Sequence, residues 1–405
     1  MDNNFKNICM KIYDFTNDNN LMEKLEKYKK LELICDLFMT EDTVEENINI
    51  KYLFPDIMDI IKMNLFRSLG PSKLQNELIN YGHVFEKYNS TSDLNDHLNI
   101  VYKILNLSIQ FFKKDFEYTR TIFDDLFVQQ LLELIHSDDE TERNHISSIV
   151  CLIYQYIPTR RNIIDKIIIQ KLNDIISYDS IEKVHIHLEN LLYIYRLMLN
   201  RDRSNSDLIA KQQQQRPFQM NAIKSLLLSL HRLPYLYYYY IPLFTCTIKF
   251  MTKYPNEIID FIRRLFSWRN LSSSSSLHTT ISMLILAELK QVLNLLLLTI
   301  NNNDDGSNIN SNNDSERIFS KIIPLIMPFL IKNLQSLNAE LVHTTLNLLC
   351  SFEYQNYFDK FMSIDFKYRL LSILNNQQYI IDWNNRVHVQ QVLYALYLQK
   401  SNQIN

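Results

Sequence analysis

The sequence predicts an all-α chain, a solenoid of antiparallel helix pairs wound into a superhelix, and three observations lead there. The first is periodicity: in the stretch from Phe127 to Arg161, Val128, Leu131, Leu132 and Ile135 fall on one helical face. Ser137-Asp138-Asp139-Glu140 then supplies capping groups, with acids suited to the positive end of the next helix. Ile146, Ile149, Val150, Ile153 and Tyr154 form a second face, which Pro158 ends. Two such helices on a short polar turn cannot bury both apolar faces alone and must stack on neighbours, which defines a solenoid repeat. The second observation is glycine: only 3 occur in 405 residues, too few for strand-rich turns or phosphate-cradling loops. The third is an apolar content of 46%, enough to cover many such faces.

The elements follow in order. Residues 5–40 read as two helices, the second from about Leu21 to Phe38. After a polar linker, FPDIMDIIKMNLFRSLGPS places Pro55 in a first helical turn and Gly70-Pro71 at a helix stop. A looser part, Lys73 to Ser92, precedes a helix carrying Leu94, Leu98, Val101, Leu105, Ile109 and Phe112. Beyond the hairpin, Ile163–Ile176 and Ile181–Leu199 form another pair. Arg201–Arg216 lacks periodicity and reads as an exposed loop, after which Ile223, Leu226, Leu227 and Leu230 restart a helix ending in LSLHRLPYLYYYY, a turn rich in tyrosine. Asn256–Trp268 is a helix, Ser272–Ser276 a polar interruption, and Leu277–Leu298 a long helix. Asn301–Asp314 is a low-complexity insertion. In the helix that follows, Pro324 and Pro328 should kink or divide it. The last helices cover Asn338–Phe352, Tyr357–Leu374 and Asn385–Lys400. Helices of this length on short links form a HEAT- or armadillo-like array, read as one solenoid over 1–405 with inserted loops near 201–216, 271–276 and 301–314.

A formal net charge of -3 gives no general affinity for nucleic acid or anionic lipid, so neither is expected as a partner. Five scattered cysteines fit neither a disulfide framework nor a zinc site and read as reduced core thiols. The N-terminus lacks an apolar leader core. Ile281–Ile300 contains Glu288 and Lys290; two charges near a bilayer centre would cost about 2.5–3.5 kcal/mol each, so it reads as a buried helix rather than a membrane span. These features predict an intracellular, cytoplasmic protein, with nuclear entry open because no basic cluster suits an import signal.

Catalysis needs convergent polar groups, and the sequence has no G-x-G-x-x-G, no phosphate-loop lysine motif, no G-x-S-x-G and no H-E-x-x-H. His185 and His187 are two apart, hence on different helix faces, and read as solvated. Asp124-Asp125 and Asp138-Asp139 read as caps or surface acids. No enzyme, cofactor or metal is expected.

Several strings, in order, resemble the regulatory B-prime subunits of protein phosphatase 2A. They are FKNICMKIYDF, NLFRSLGPS, the Phe127–Arg161 hairpin, LLLSLHRLP, SKIIPLIMPFL and, preceding Ala395, DWNNRVH. The resemblance implies a HEAT-like solenoid that binds the phosphatase scaffold and catalytic subunits. It also implies a groove for substrate proteins carrying short Leu-x-x-Ile-x-Glu motifs. By position, Tyr154 and Arg161 fall on groove residues, and Ile194 and Met198 where two isoleucines line an apolar pocket. Where the family has a His-Arg pair holding the motif's glutamate, this chain has Cys151 and Leu152. Losing that charge-assisted bond removes roughly 1.5–3 kcal/mol, so the groove is expected to be weak or retuned to a less acidic motif. Structurally, Tyr154, Ile194 and Met198 are also ordinary core positions, and Arg161 an ordinary surface arginine. The leading expectation is a non-catalytic regulatory subunit of the phosphatase; the alternative is a helical-repeat adaptor that no longer assembles with it.

Overall fold

The computed structural model describes residues 29–36, 38, 44–69, 96–113, 115–177, 186–200, 209–233, 235–267, 276–301, 311–349, 351, 357–358 and 360–376. No strand occurs among them. The expected FKNICMKIYDF segment, the helix Asn385–Lys400 and the DWNNRVH string lie outside these residues. The chain gathers into two compact units, Met1–Asn205 and Ser206–Asn405, whose boundary falls in the stretch expected as the first inserted loop.

In the first unit, a helical stretch over 29–36 precedes α1 (Val44–Leu65), α2 (Asp96–Phe112), α3 (Phe116–Ile122), α4 (Asp125–Glu133), α5 (Glu140–Tyr156), α6 (Arg161–Ser177) and α7 (Leu188–Leu199). Alternate helices stack: α2 on α5 and α5 on α7 in one layer, α4 on α6 in the other. Within pairs, α1 packs on α2, α4 on α5 and α6 on α7. The expected apolar stripes are what is buried: Val128, Leu131, Leu132 and Ile135, then Ile146, Ile149, Val150, Ile153 and Tyr154. Burying each such side chain contributes roughly 1.5–3 kcal/mol.

Aspartates cap the starts of α3, α4 and α5. Asp124 Oδ1 accepts from the Phe127 amide at 2.7 Å, and Asp139 Oδ1 from the Thr141 and Glu142 amides at 2.7 and 3.3 Å. Both acidic pairs thus contain a cap, as their sequence suggested.

Pro55 sits in the middle of α1, not in its first turn. With no N–H, it leaves the Lys51 carbonyl without an intrahelical donor. The Tyr118 hydroxyl donates to that carbonyl at 2.6 Å. The Lys51 ammonium reaches Asp115, the cap of α3, at 2.6 Å and lies 4.8 Å from the Tyr118 ring centroid. The proline interruption therefore becomes a junction between α1 and α3, which no local pattern foretells.

The second unit contains α8 (Ile209–Leu230), α9 (Leu236–Lys253), α10 (Ile258–Ser267), α11 (Ser276–Asn301), α12 (Ser311–Leu334), α13 (Ala339–Leu349) and α14 (Ile364–Asn376). Here α9, α11 and α13 stack in one layer, and α8, α10, α12 and α14 in the other. Each unit is therefore a helical-repeat stack. Several boundaries differ from expectation, among them the start of α12 at Ser311, inside the stretch read as the Asn301–Asp314 insertion. Helix α8 begins at Ile209, inside the stretch read as a loop, because Ala, Lys, Gln and Arg favour helix even without an apolar stripe. The tyrosine run forms the first turns of α9, burying Tyr239 and Tyr240 while Tyr238 stays exposed; an unbroken aromatic run hides its period. The expected Tyr357–Leu374 helix breaks at residues 362–363 and restarts as α14, with Ser363 Oγ near the Phe366 amide at 3.4 Å.

Pro324 and Pro328 leave α12 continuous. Both lie on its exposed face with Lys321 and Lys332, where water reaches the carbonyls that lack donors. Helix α11 is long and apolar enough, over Thr279–Leu297, to cross a membrane by length and composition. Its Ile285, Leu286, Leu289, Val292 and Leu293 are nonetheless buried in the unit, and so is Glu288. Glu288 meets the His231 Nε2 at 3.2 Å, while the His231 Nδ1 contacts the Leu227 carbonyl at 2.7 Å. Lys224, also buried, donates to Glu257 at 2.7 Å and Asp260 at 2.6 Å, tying α8 to the start of α10.

The corresponding clasp of the first unit is Glu142, fully buried. Its carboxylate accepts from Arg67 at 2.6 Å, from the Tyr102 hydroxyl at 2.7 Å and from Ser137. It thereby joins the end of α1, the middle of α2 and the turn before α5. Burial opposes its charge, but bonds from Arg67, Ser137 and Tyr102 outweigh burial and hold the carboxyl below its ordinary 4.5. A depressed folded value means that the stabilisation is complete above the unfolded value and fades as pH falls through the folded one. Glu142→Gln should therefore lower the stability of the full chain at pH 7 by about 2–3 kcal/mol, the scale of hydrogen bonds to a charged group. The loss should shrink below pH 4, as read by urea denaturation at both pH values; an unchanged difference would contradict the ionised clasp.

Candidate functional site

Helices α5 and α7 and the first residue of α6, Arg161, hold every residue expected in a binding site. The register of α5 against α7 is set near their starts, where the Asn190 amide donates to Asn144 at 2.9 Å and to Ser147 at 3.4 Å. Cys151 lies seven residues further along α5 and Arg196 six further along α7, advances of about 10.5 and 9 Å. Burial pushes the Cys151 thiol up to about 12, partly offset by the positive charge of Arg196. The matched advance shows that the two helices run in the same direction.

Tyr154 and Ile194 are buried, at 4% and 0% exposure; Cys151, Leu152, Arg161 and Met198 are half-buried. The i,i+4 spacing of Ile194 and Met198 puts them on one face of α7, as expected, with Ile194 inside and Met198 toward its edge. Arg161 donates through Nε to the Tyr154 carbonyl at 2.7 Å and through Nη2 to the Gln155 carbonyl at 3.0 Å. Its guanidinium lies 5.6 Å from the Tyr154 ring centroid. Arg161 thus caps the end of α5, where carbonyls lack intrahelical donors. Arg160 does the same for the preceding pair, donating to the Phe123 and Arg120 carbonyls at 2.6 and 2.7 Å and to Asp125 at 2.6 Å.

Sequence reasoning missed Arg196. It is half-buried, on the same stripe of α7 as the exposed Glu189 and Tyr193, and its charge acts on Cys151 of α5. Its guanidinium stacks 4.8 Å from the Tyr193 ring centroid. The available signal was its place between Ile194 and Met198.

A separate cavity of about 620 Å³ lies at the ends of α1, α4 and the start of α7, lined by Phe66, Arg67, Gln130, Glu133, His136 and His187 among others. His187 is not solvated as expected but half-buried, its ring 4.3 Å from that of His136, 51 residues earlier in sequence. His185 lies outside the described residues. Lys171 donates to Glu133 at 3.1 Å and approaches His136 Nε2 at 3.0 Å, and Arg67 serves Glu142, so the charges here are matched within the cluster. Among the described residues no group of three His, Cys, Asp or Glu side chains is placed to hold a metal.

With this geometry in place, the family comparison decides the identity. The family model of the protein phosphatase 2A regulatory B subunit (B56 family) matches residues 5–296. The chain belongs to that family. The B56 match spans α1 to α10 and nearly all of α11; α12 to α14, beyond it, continue the same alternating stack. Among similar proteins, the 59 kDa regulatory B' gamma isoform of phosphatase 2A from Arabidopsis thaliana is 24% identical over 288 residues, 71% of this chain and 51% of that protein. The 57 kDa regulatory B' theta isoform of Arabidopsis thaliana is 26% identical over 161 residues, 39% of this chain and 32% of that one. The phosphatase 2A regulatory protein psrA of Dictyostelium discoideum is 25% identical over 150 residues, 36% of this chain and 22% of that protein. The matched part thus spans about half or less of each relative. These are regulatory rather than catalytic proteins by name.

The raised thiol makes a direct test of the site's geometry. Cys151 in the folded full chain should resist iodoacetamide at pH 8, because a thiol pushed up to about 12 is almost wholly protonated there. Peptide mapping by mass spectrometry should find it labelled only after denaturation. Rapid native labelling would show a more open α5–α7 face.

Proposed function

We infer that the chain is a regulatory subunit that joins a phosphatase scaffold and catalytic subunit and brings substrate proteins to them through short linear motifs. The observation that carries this reading is the B56-family match over residues 5–296, which includes the whole α5–α7 region. The mechanism is tethering: a substrate held near a phosphatase active site experiences a raised effective concentration with no chemistry from the subunit itself.

The α5–α7 face supplies the docking surface. Leu152 and Met198, half-buried, offer aliphatic surface, while Tyr154 and Ile194 are buried. Arg161 stands at the edge with its donors directed to the end of α5. An extended peptide with two aliphatic residues and acidic neighbours suits such a face. Assembly with the phosphatase implies an intracellular setting, cytoplasmic with nuclear entry equally compatible.

A second reading, an adaptor that has left the phosphatase, is favoured by Cys151 and Leu152, which replace the pair expected to hold a motif's glutamate. Capture of the tagged full chain from native extract at endogenous level separates the two. The first reading expects a phosphatase scaffold and catalytic subunit in near-stoichiometric yield. Abundant partners without them would establish the adaptor.

A further inference from the structure

We propose that the exposed stripes of α10, α12 and α14 form a docking face for an anionic bilayer, with cations on the lipid headgroups and the apolar side chains of α14 in the interfacial layer.

The charge comes first. From Arg317 to Leu334, α12 contains Arg317, Lys321 and Lys332 and no acidic residue. All three cations are exposed, at spacings that put them with Pro324 and Pro328 on a single stripe, while Phe319, Ile322, Ile326 and Leu330 are buried. Helices α10 and α14 both pack against α12 in its layer. The Phe266 and Phe329 rings meet at 4.9 Å. Arg263 and Arg264, exposed and within one turn of Phe266, therefore stand alongside the part of α12 around Pro328, where α12 has no charge of its own before Lys332. Arg369 adds an exposed cation on α14. Asp260, which Arg264 and Arg263 reach at 3.0 and 3.7 Å, is already held by the buried Lys224 at 2.6 Å. Asp365 shares α14 with two cations, Lys367 and Arg369. A formal net charge of -3 averages this asymmetry over the whole chain and so conceals it.

The apolar part selects the partner. Ile364 and Tyr368, one turn apart on α14, are 64% and 58% exposed, and Leu337, just past the end of α12, is 88% exposed. Apolar side chains set beside a row of cations suit a bilayer surface. The cations meet headgroup phosphates and carboxylates, the tyrosine sits at headgroup level, and the aliphatic tips enter the acyl boundary. A nucleic-acid duplex offers the cations equivalent phosphates but gives Ile364 and Leu337 no apolar phase to enter.

The test is co-sedimentation of the full chain with phosphatidylcholine vesicles that contain or lack phosphatidylserine. The chain should sediment only with the serine-containing vesicles. Raising salt from about 0.1 M to about 1 M should release it, because the screening length falls from about 10 Å to about 3 Å. A cation near an anionic surface contributes about fivefold in partitioning, the equivalent of about 1 kcal/mol, so the combined Arg317→Glu, Lys321→Glu and Lys332→Glu variant should lose at least about a hundredfold. A control of equal net charge, Lys29→Glu with Lys103→Glu and Lys166→Glu in the first unit, should stay within about threefold, since salt screens net charge acting at a distance. Ile364→Ser with Tyr368→Ser should weaken binding several-fold. All these positions are exposed, and circular dichroism confirms that each variant folds. No binding to serine-containing vesicles overturns the proposal, and so does an equal loss in the two triple variants. Binding to duplex DNA that matches vesicle binding and ignores Ile364 and Tyr368 overturns it too, in favour of a nucleic-acid site.

Discussion

Helices such as α5 carry an apolar stripe wider than a hairpin partner alone can cover, and that constraint shapes the rest. A helix such as α5 is buried on one side by α4, its pair, and on two others by α2 and α7, the helices before and after it in its layer. Removing any one neighbour would expose leucines and isoleucines that are now at or near zero exposure. Stability is therefore distributed along each unit by nearest-neighbour contacts, as expected for stacked repeats.

Apolar stripes alone set no register, since leucine packs on leucine at many offsets. Buried polar groups do. Glu142 joins α1, α2 and the α5 turn; Lys224 joins α8 to the start of α10; His231 meets Glu288 across α8 and α11. Each has few geometries that satisfy all its partners, and a half-satisfied network in a dry interior is costly. Such groups contribute specificity more than net stability, and they fix which stripe meets which.

The same register gives the α5–α7 face its character. Asn190 against Asn144 determines that Arg196, rather than a neighbour one turn away, stands beside Cys151. A regulatory protein of this family has no bond to break or make.

The fold class, most helices and the family itself were legible in the sequence, because period, caps and the scarcity of glycine are local properties. The caps Asp124 and Asp139 and the stripe of α5 needed nothing beyond their own neighbours in the chain. Helix α8's early start, the tyrosine run of α9 and the break before α14 were obscured where composition or an unbroken apolar run hid the period. Only the tertiary structure decided that Tyr118 completes the turn opened by Pro55, that Glu142 is held by Arg67, and that His187 rests on His136. It also decided that Tyr154 and Ile194 lie inside while Arg196 is half-buried near Cys151. These partners come from distant parts of the chain or are separated by the depth of a helix. A sequence read along one strand of chain carries periodicity within helices but not the offset between them.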